Sequence, residues 1–241
     1  MSGAAQLPLD LGHRPALGRE DFLVVACNEV AVAWIDRWPD WPASGLALYG
    51  PPGCGKSHLC QVWRSANGAI EIDAAALAER EPPDLLGPAV ACVLDDAETA
   101  LGADPRAERT LLHLLNMLTE RRGHLLLTGR TPPARWPCRL PDLRSRLSAL
   151  PAVELGAADD MLVEAVLVKL FADRQLRVGP EVLRFALARM ERSVAAARAL
   201  VAAIDRASLI EHREITVPLV RRVMAADDGA PSPGDASQQL T

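Results

Sequence analysis

Leu46-Ala47-Leu48-Tyr49-Gly50-Pro51-Pro52-Gly53-Cys54-Gly55-Lys56-Ser57 is the stretch whose reading decides the fold. Its first four residues are a short apolar run, the pattern of a buried strand, and the next eight have the spacing Gly-x-x-x-x-Gly-Lys-Ser. In such a turn successive backbone N–H groups wrap phosphate oxygens, and the helix that follows adds its positive N-terminus. Gly50, Gly53 and Gly55 supply unusual backbone angles, and Pro51, Cys54 and His58 belong to the same candidate binding segment. Lys56 is expected to reach the β- and γ-phosphates and Ser57 to ligate Mg²⁺. Lysine usage strengthens the reading. Of 26 basic residues only Lys56 and Lys169 are lysines, the remainder being arginine. A compact ammonium fits between phosphate oxygens where a planar guanidinium does not.

Outward from this motif, Ser57–Ser65 reads as the helix after the loop. Upstream, a helical pattern runs from Phe22 through Asn28 to Arg37, and Pro39 and Pro42 end it. Downstream, Ala69–Ile72, Ala89–Leu94, His124–Thr128 and Ala152–Leu155 are short strand candidates, with a helix from about Arg106 to Arg121. Apolar strands alternating with helices imply an α/β core with a parallel five-stranded sheet covered on both faces. After Gly156 the pattern changes to helices alone: Asp159–Arg174, Pro180–Glu191, Ser193–His212 and Thr216–Ala225. Gly179-Pro180 and Thr216 are suitable helix starts. The expected organisation is an extended tail over 1–19, a nucleotide-binding core over 20–156 and an all-α lid over 157–228. Residues 229–241 lack anything to bury and are expected to be disordered.

Composition narrows the class. The 241-residue chain carries a formal charge of −5, which argues against binding DNA through its whole surface. No apolar run approaches the roughly 18–20 residues needed to span a bilayer, and no signal peptide is apparent at the N-terminus. Five cysteines (Cys27, Cys54, Cys60, Cys92 and Cys138) follow no disulfide or metal spacing. They read as reduced thiols, and the compartment as the cytoplasm. The five histidines likewise form no ligand spacing. Trp34, Trp38 and Trp41 are expected to pack the first helix and its exit loop. Arg121-Arg122 and Arg221-Arg222 read as solvated faces.

The second chemistry-bearing motif is Val93-Leu94-Asp95-Asp96, two acids at the end of a strand. Phosphoryl transfer needs one carboxylate in the Mg²⁺ shell and a second group orienting water. Asp95 fits the first role and Asp96 the second. A third motif lies near the N-terminus, Gln6-Leu7-Pro8-Leu9-Asp10-Leu11. Pro8 favours an extended chain, so Leu7, Leu9 and Leu11 point to one side and suit a preformed apolar pocket on a partner.

Taken together, the phosphate loop, Val93–Asp96, the segment Leu125-Leu126-Leu127-Thr128-Gly129-Arg130-Thr131-Pro132-Pro133, and Leu140-Pro141-Asp142-Leu143-Arg144-Ser145-Arg146-Leu147 resemble the AAA+ ATPases of the DnaA branch. The resemblance spans roughly residues 6–225 and is strongest to the Hda family of replication regulators. It implies ADP or ATP with Mg²⁺ as cofactors, Thr128 in the sensor-1 region, and Val24 or Val25 beside the adenine. It also implies that Arg146 is an arginine finger offered to nucleotide on a neighbouring subunit. Gln6, Leu7, Leu9 and Leu11 resemble the peptide by which Hda proteins engage the DNA polymerase sliding clamp. The implied partners are the DnaA initiator and that clamp, with DNA reached mainly through the clamp and self-association left open.

Two departures from the family pattern matter. Arg130 stands where a polar residue is usual after sensor 1. Ala195 stands where a sensing arginine is expected in the lid, with Arg198 one turn further on. The expectation is stable ADP binding and little ATPase activity by the chain alone. Two other classes stay open: an initiator or loader acting on DNA itself, and a P-loop ATPase or kinase of other role. The first is disfavoured by an acidic-to-neutral tail where a helix-turn-helix domain would begin. The second leaves Leu140–Leu147 and the helical lid unexplained.

Overall fold

The computed structural model describes residues 23–211 and 214–227. The segment 6–11 and the tail 229–241 lie outside the described residues. The strands are β1 (Gly45–Tyr49), β2 (Ile70–Glu71), β3 (Ala91–Leu94), β4 (His124–Gly129) and β5 (Ala152–Glu154). They form one five-stranded sheet in the order β2-β3-β4-β1-β5, with every pairing parallel. β1, β3 and β4 are near-continuous buried runs because both faces of the sheet are covered there, whereas the edge strands β2 and β5 are short and partly exposed.

Alternate side chains divide between two cores, as the two-residue period of a strand requires. Leu46, Leu48, Val93, Leu126 and Val153 face one side, where α1 (Glu29–Asp36) and α2 (Lys56–Asn67) bury Val32, Ile35, Leu59 and Trp63. Ala47, Cys92, Leu94, Leu125 and Leu127 face the other. That side is covered by α3 (Ala76–Glu79), α4 (Pro82–Leu86), α5 (Ala97–Ala103), α6 (Pro105–Glu120) and α7 (Pro141–Ala149).

The tryptophans pack as expected for the exit of the first helix. Trp63 is buried with Trp41 stacked on it at 5.4 Å, and Trp38 meets it edge-on at 5.8 Å. The Trp41 indole N–H donates to the Trp34 carbonyl at 2.8 Å. His124, at the start of β4, lies edge-on to Trp41 and Trp38. Burial there lowers its pKa below the ordinary 6.5. A depressed folded-state value means the unfolded chain binds the proton first, so stability is full above about pH 6.5 and is lost as pH falls through the folded value. The urea midpoint of the protein should therefore fall more between pH 7 and pH 5 than that of His124→Asn. Equal slopes for the two proteins would exclude His124 as a source of acid lability.

The start of the first helix differs from the sequence reading for a local reason. The first helix begins at Glu29, not Phe22. Asn28 is buried, its side-chain oxygen accepts the Val25 N–H, and its amide donates to the Leu23 carbonyl. An Asn that bonds the preceding backbone stabilises a turn in competition with helix. The segment Leu140–Leu147 is mostly helical, Pro141 opening α7 at a position where the missing N–H costs nothing. Three further helices, α3, α4 and α5, span only 4, 5 and 7 residues and are too short to carry a periodic signal.

The chain divides into two compact units between Asp159 and Asp160. The second comprises α8 (Asp160–Asp173), α9 (Pro180–Leu187), α10 (Val194–Glu211) and α11 (Val217–Asp227). α8 packs on α9, α9 on α11, α11 on α10 and α10 on α8. Leu167, Phe171, Val182, Ala186, Val201, Ile204 and Val220 are buried within it. Gly179 and Pro180 start α9, and the buried Ser193 hydroxyl accepts the Ala196 N–H to cap α10. Among the described residues no helix is long and apolar enough to cross a membrane.

Candidate functional site

The carboxyl ends of β3, β4 and β1 lie side by side, and the motif residues collect there. Backbone conformation explains the glycines. Gly50, Gly53 and Gly55 have φ of 154°, 74° and 107°, a region L-residues rarely adopt. Gly50 has a second constraint: a Cβ would lie 2.2 Å from the Leu155 carbonyl oxygen, so the loop root sits directly against the chain leaving β5. The Gly50 N–H also donates to the Gly129 carbonyl, tying the loop to the end of β4.

Lys56 opens α2 and donates its ammonium to the Gly50 and Pro51 carbonyls at 2.8 and 2.9 Å, with the Cys54 sulfur at 3.7 Å. The ammonium is thus held inside the loop it is meant to serve. Ser57 is exposed and His58 partly exposed on the first turn of α2, whereas Cys54 is buried. A loop of this conformation, with glycine at each left-handed position and a helix N-terminus behind it, fits a polyphosphate.

The acids are positioned by Thr128. Its buried hydroxyl donates to the Asp95 carboxylate at 2.5 Å and accepts the Asp96 N–H at 2.8 Å. One side chain on β4 therefore locks both residues at the end of β3. Asp96 itself takes left-handed angles (φ 52°, ψ 41°) and is exposed, starting α5. Asp95 and Lys56 both act electrostatically on one buried thiol. Cys60 on α2 has its pKa pushed well up by burial first and then by Asp95, while Lys56 pulls it down. Among the described residues no cluster of three or more His, Cys, Asp or Glu side chains is placed to hold a metal. A Mg²⁺ here would rest on Ser57, Asp95 and phosphate oxygens, the sparse protein shell usual for that ion.

Several residues the sequence reading passed over build this site. Glu98 on α5 accepts the Arg130 N–H at 2.6 Å, the Thr131 N–H at 3.0 Å and the Thr131 hydroxyl at 2.9 Å, fixing the loop after β4. Trp136 closes over Gly129, where a Cβ would come within 2.8 Å of the indole, and its N–H donates to the Thr131 carbonyl. The Arg130 side chain is exposed. Glu98 follows Asp95-Asp96 closely enough to have been noticed; the Gly129–Trp136 contact joins residues with no shared pattern.

The two arginines of α7 differ in kind. Arg144, though exposed, is committed, donating Nε at 3.1 Å and Nη2 to the Cys138 carbonyl. Arg146 is exposed, and among the described residues its guanidinium has no hydrogen bond or ion pair. In the helical unit, Ala195 is exposed on α10. Arg198 has a buried Nε without a hydrogen-bond partner among the described residues, and its pKa is lowered by burial and by neighbouring Arg174. Arg174 pairs loosely with Asp205 at 3.7 Å.

Comparison with known structures defines the class first. Domain III of the Thermotoga maritima replication initiation protein DnaA superposes with a TM-score of 0.76 at 16% identity, over 88% of this chain and 97% of that one. AMPPCP-bound DnaA from Aquifex aeolicus gives 0.68 at 20% identity, over 89% of this chain and 70% of that one. The Thermotoga maritima RuvB Holliday junction branch migration motor gives 0.57 at 16% identity, over 76% and 61%. At these identities the likeness is one of fold: the chain has an AAA+ fold of the DnaA type, with a helical lid. The lid narrows the resemblance further: residues 160–224 match the family described as Hda, lid domain, and the AAA+ fold is similar to that of the DnaA branch.

Proposed function

We propose that the protein is an Hda-like regulator of replication initiation that stimulates hydrolysis of ATP bound to a DnaA-type initiator. The observation that carries the reading is the contrast on α7, where Arg144 is committed to the Cys138 carbonyl while Arg146 projects a guanidinium with no partner among the described residues. A free planar cation on a rigid helix is suited to a phosphoryl group on another molecule, where charge spreads in the transition state. The Hda-type lid favours an initiator of the DnaA type as that molecule.

In this reading the chain's own loop holds ADP or ATP through Gly50–Ser57, with Ser57 and Asp95 as protein ligands to Mg²⁺. When bound, that ion neutralises charge on the phosphate oxygens. Thr128 fixes the carboxylate of Asp95 and the backbone of Asp96, and Asp96 orients water. With Ala195 in place of a lid arginine, the chain holds ADP stably and turns over slowly by itself; the nucleotide hydrolysed fast is the partner's. Docking on the DNA-loaded sliding clamp through Gln6, Leu7, Leu9 and Leu11 brings the regulator to the initiator after replication has begun. Self-association and a cytoplasmic location accord with this role.

Pull-down by purified sliding clamp tests the docking step. Full-length protein should be retained, and changing Gln6 and Leu9 together to alanine should reduce retention at least tenfold, since an apolar anchor such as Leu9 is worth about 1–2 kcal/mol and the Gln6 amide adds hydrogen bonding of about 1 kcal/mol. Retention of the double variant at the wild-type level removes the clamp from the proposal. Robust turnover by the chain alone, lost in Lys56→Ala, would overturn the assignment of slow intrinsic hydrolysis.

A further inference from the structure

Among the described residues Glu108 is the only acidic or basic residue in the buried class, at 3% exposure. It sits on α6 in the same stripe as Ala107, Leu111, Leu114, Leu115 and Leu118, where an apolar side chain is the default. A carboxylate is retained in such a place only if it is fully hydrogen-bonded. Its partners all belong to one short stretch. Oε1 and Oε2 accept the Arg139 N–H at 3.1 and 3.0 Å, Oε2 accepts the Leu140 N–H at 2.7 Å, and the Cys138 thiol lies 3.6 Å from Oε2.

That stretch leads directly into α7, with Leu140 at its N-cap and Pro141 as its first residue. Glu108 accepts the N–H groups of residues 139 and 140. Arg144, one turn into α7, holds the adjacent Cys138 carbonyl. Leu143 and Leu147, with Leu150 just beyond, press the helix into the core, but apolar burial is non-directional and by itself leaves freedom along the helix axis. The hydrogen-bonded knuckle at 138–140 removes that freedom. Arg146 lies on the same rigid element, six residues beyond the knuckle.

We infer that Glu108 is a positioning residue for Arg146: by anchoring the backbone ahead of α7 to α6 it sets where the guanidinium stands. The inference rests on the arginine-finger reading above. A misplacement of about 1 Å can cost as much as a hundredfold in rate, so loosening the anchor should be felt in the chemistry of the partner's site.

The test is single-turnover hydrolysis of ATP prebound to a DnaA-type initiator, with DNA-loaded sliding clamp present and full-length protein titrated to saturation. Glu108→Gln is isosteric and keeps one oxygen for the knuckle while placing an amide donor against its N–H groups. Arg144→Ala releases the same knuckle from an exposed position, so it reports even where Glu108→Gln folds poorly. Either variant is expected to lower the maximal rate about tenfold. The half-saturating concentration and the affinity of the protein for ADP should stay within about twofold of wild type. A merely structural role predicts the opposite split, because a reduced folded fraction is overcome by adding more protein while a misplaced cation is not. Wild-type maximal rates in both variants, beside a lost rate in Arg146→Ala, overturn the proposal alone. So does a rate loss that disappears at higher protein concentration. An Arg146→Ala protein that stimulates normally overturns the arginine-finger reading and this inference with it.

Discussion

Arg146→Ala is expected to reduce stimulated hydrolysis of initiator-bound ATP by about 10³-fold or more, the range over which arginine fingers act. The cause is confined to chemistry. Arg146 is exposed, and among the described residues no hydrogen bond or ion pair depends on it, so its removal leaves no buried group unsatisfied. Alanine is the best helix former, and an exposed substitution of this kind changes stability by about 0.5 kcal/mol at most. The variant should therefore fold normally, bind ADP normally and fail only in the partner's reaction. Arg146→Lys keeps the charge but not the planar fork, and should recover a minor part of the rate. Loss of bound ATP from the initiator, followed in a single turnover, is the measurement. Stimulation by Arg146→Ala within twofold of wild type would falsify the proposed role.

Lys56→Ala should have its large effect in a different place, on the chain's own nucleotide. In the folded protein the ammonium is held by the Gly50 and Pro51 carbonyls at the rim of the phosphate loop. Pro51 is exposed, so water can satisfy its carbonyl, whereas the carbonyl of the buried Gly50 loses its lysine partner and adds a modest loss of stability. What is lost is a set of charge-assisted hydrogen bonds to phosphate oxygens, each worth about 1.5–3 kcal/mol. ADP affinity should fall by about a hundredfold, and the rise in melting temperature that ADP confers on the wild type should disappear. Titration with a fluorescent ADP analogue, alongside melting curves with and without ADP, reads both effects. Wild-type ADP affinity in Lys56→Ala would show that the loop does not bind phosphate as its sequence implies. Comparison with Arg146→Ala separates the two nucleotides: one variant loses the chain's own, the other spares it.

The core's continuous apolar strands and its phosphate loop were legible because each is local. Leu46–Tyr49 runs into a turn whose glycines are required by backbone sterics, and the structure gives all three the angles that only glycine adopts freely. Central parallel strands buried on both faces spell out short continuous apolar runs, and four helices without an intervening strand separate the lid from the core. Short elements escaped for the converse reason. α3, α4 and α5 are no longer than two turns, and the start of α1 depends on the direction in which the Asn28 side chain bonds.

For the site, residue type and spacing singled out Lys56, Asp95 and Asp96, since each chemistry needs a particular side chain at a particular strand or helix end, while the family resemblance pointed to Thr128 and Arg146. Sequence alone also determined the order of the strands and longer helices and that a compact ammonium belongs in the loop. Only the tertiary structure decided which groups hold them in place. That Thr128 bridges both acids follows from β4 lying beside β3, a pairing between residues 33 positions apart. That Arg144 is anchored while Arg146 is free follows from where the Cys138 carbonyl lands. Glu108 carried a readable signal, an acid within an apolar helical stripe, but its partners lie 31 and 32 residues away. A hydrogen bond depends on angles and tenths of an ångström, which the folded chain sets through all its packing at once. A periodic pattern records only which face of an element is covered.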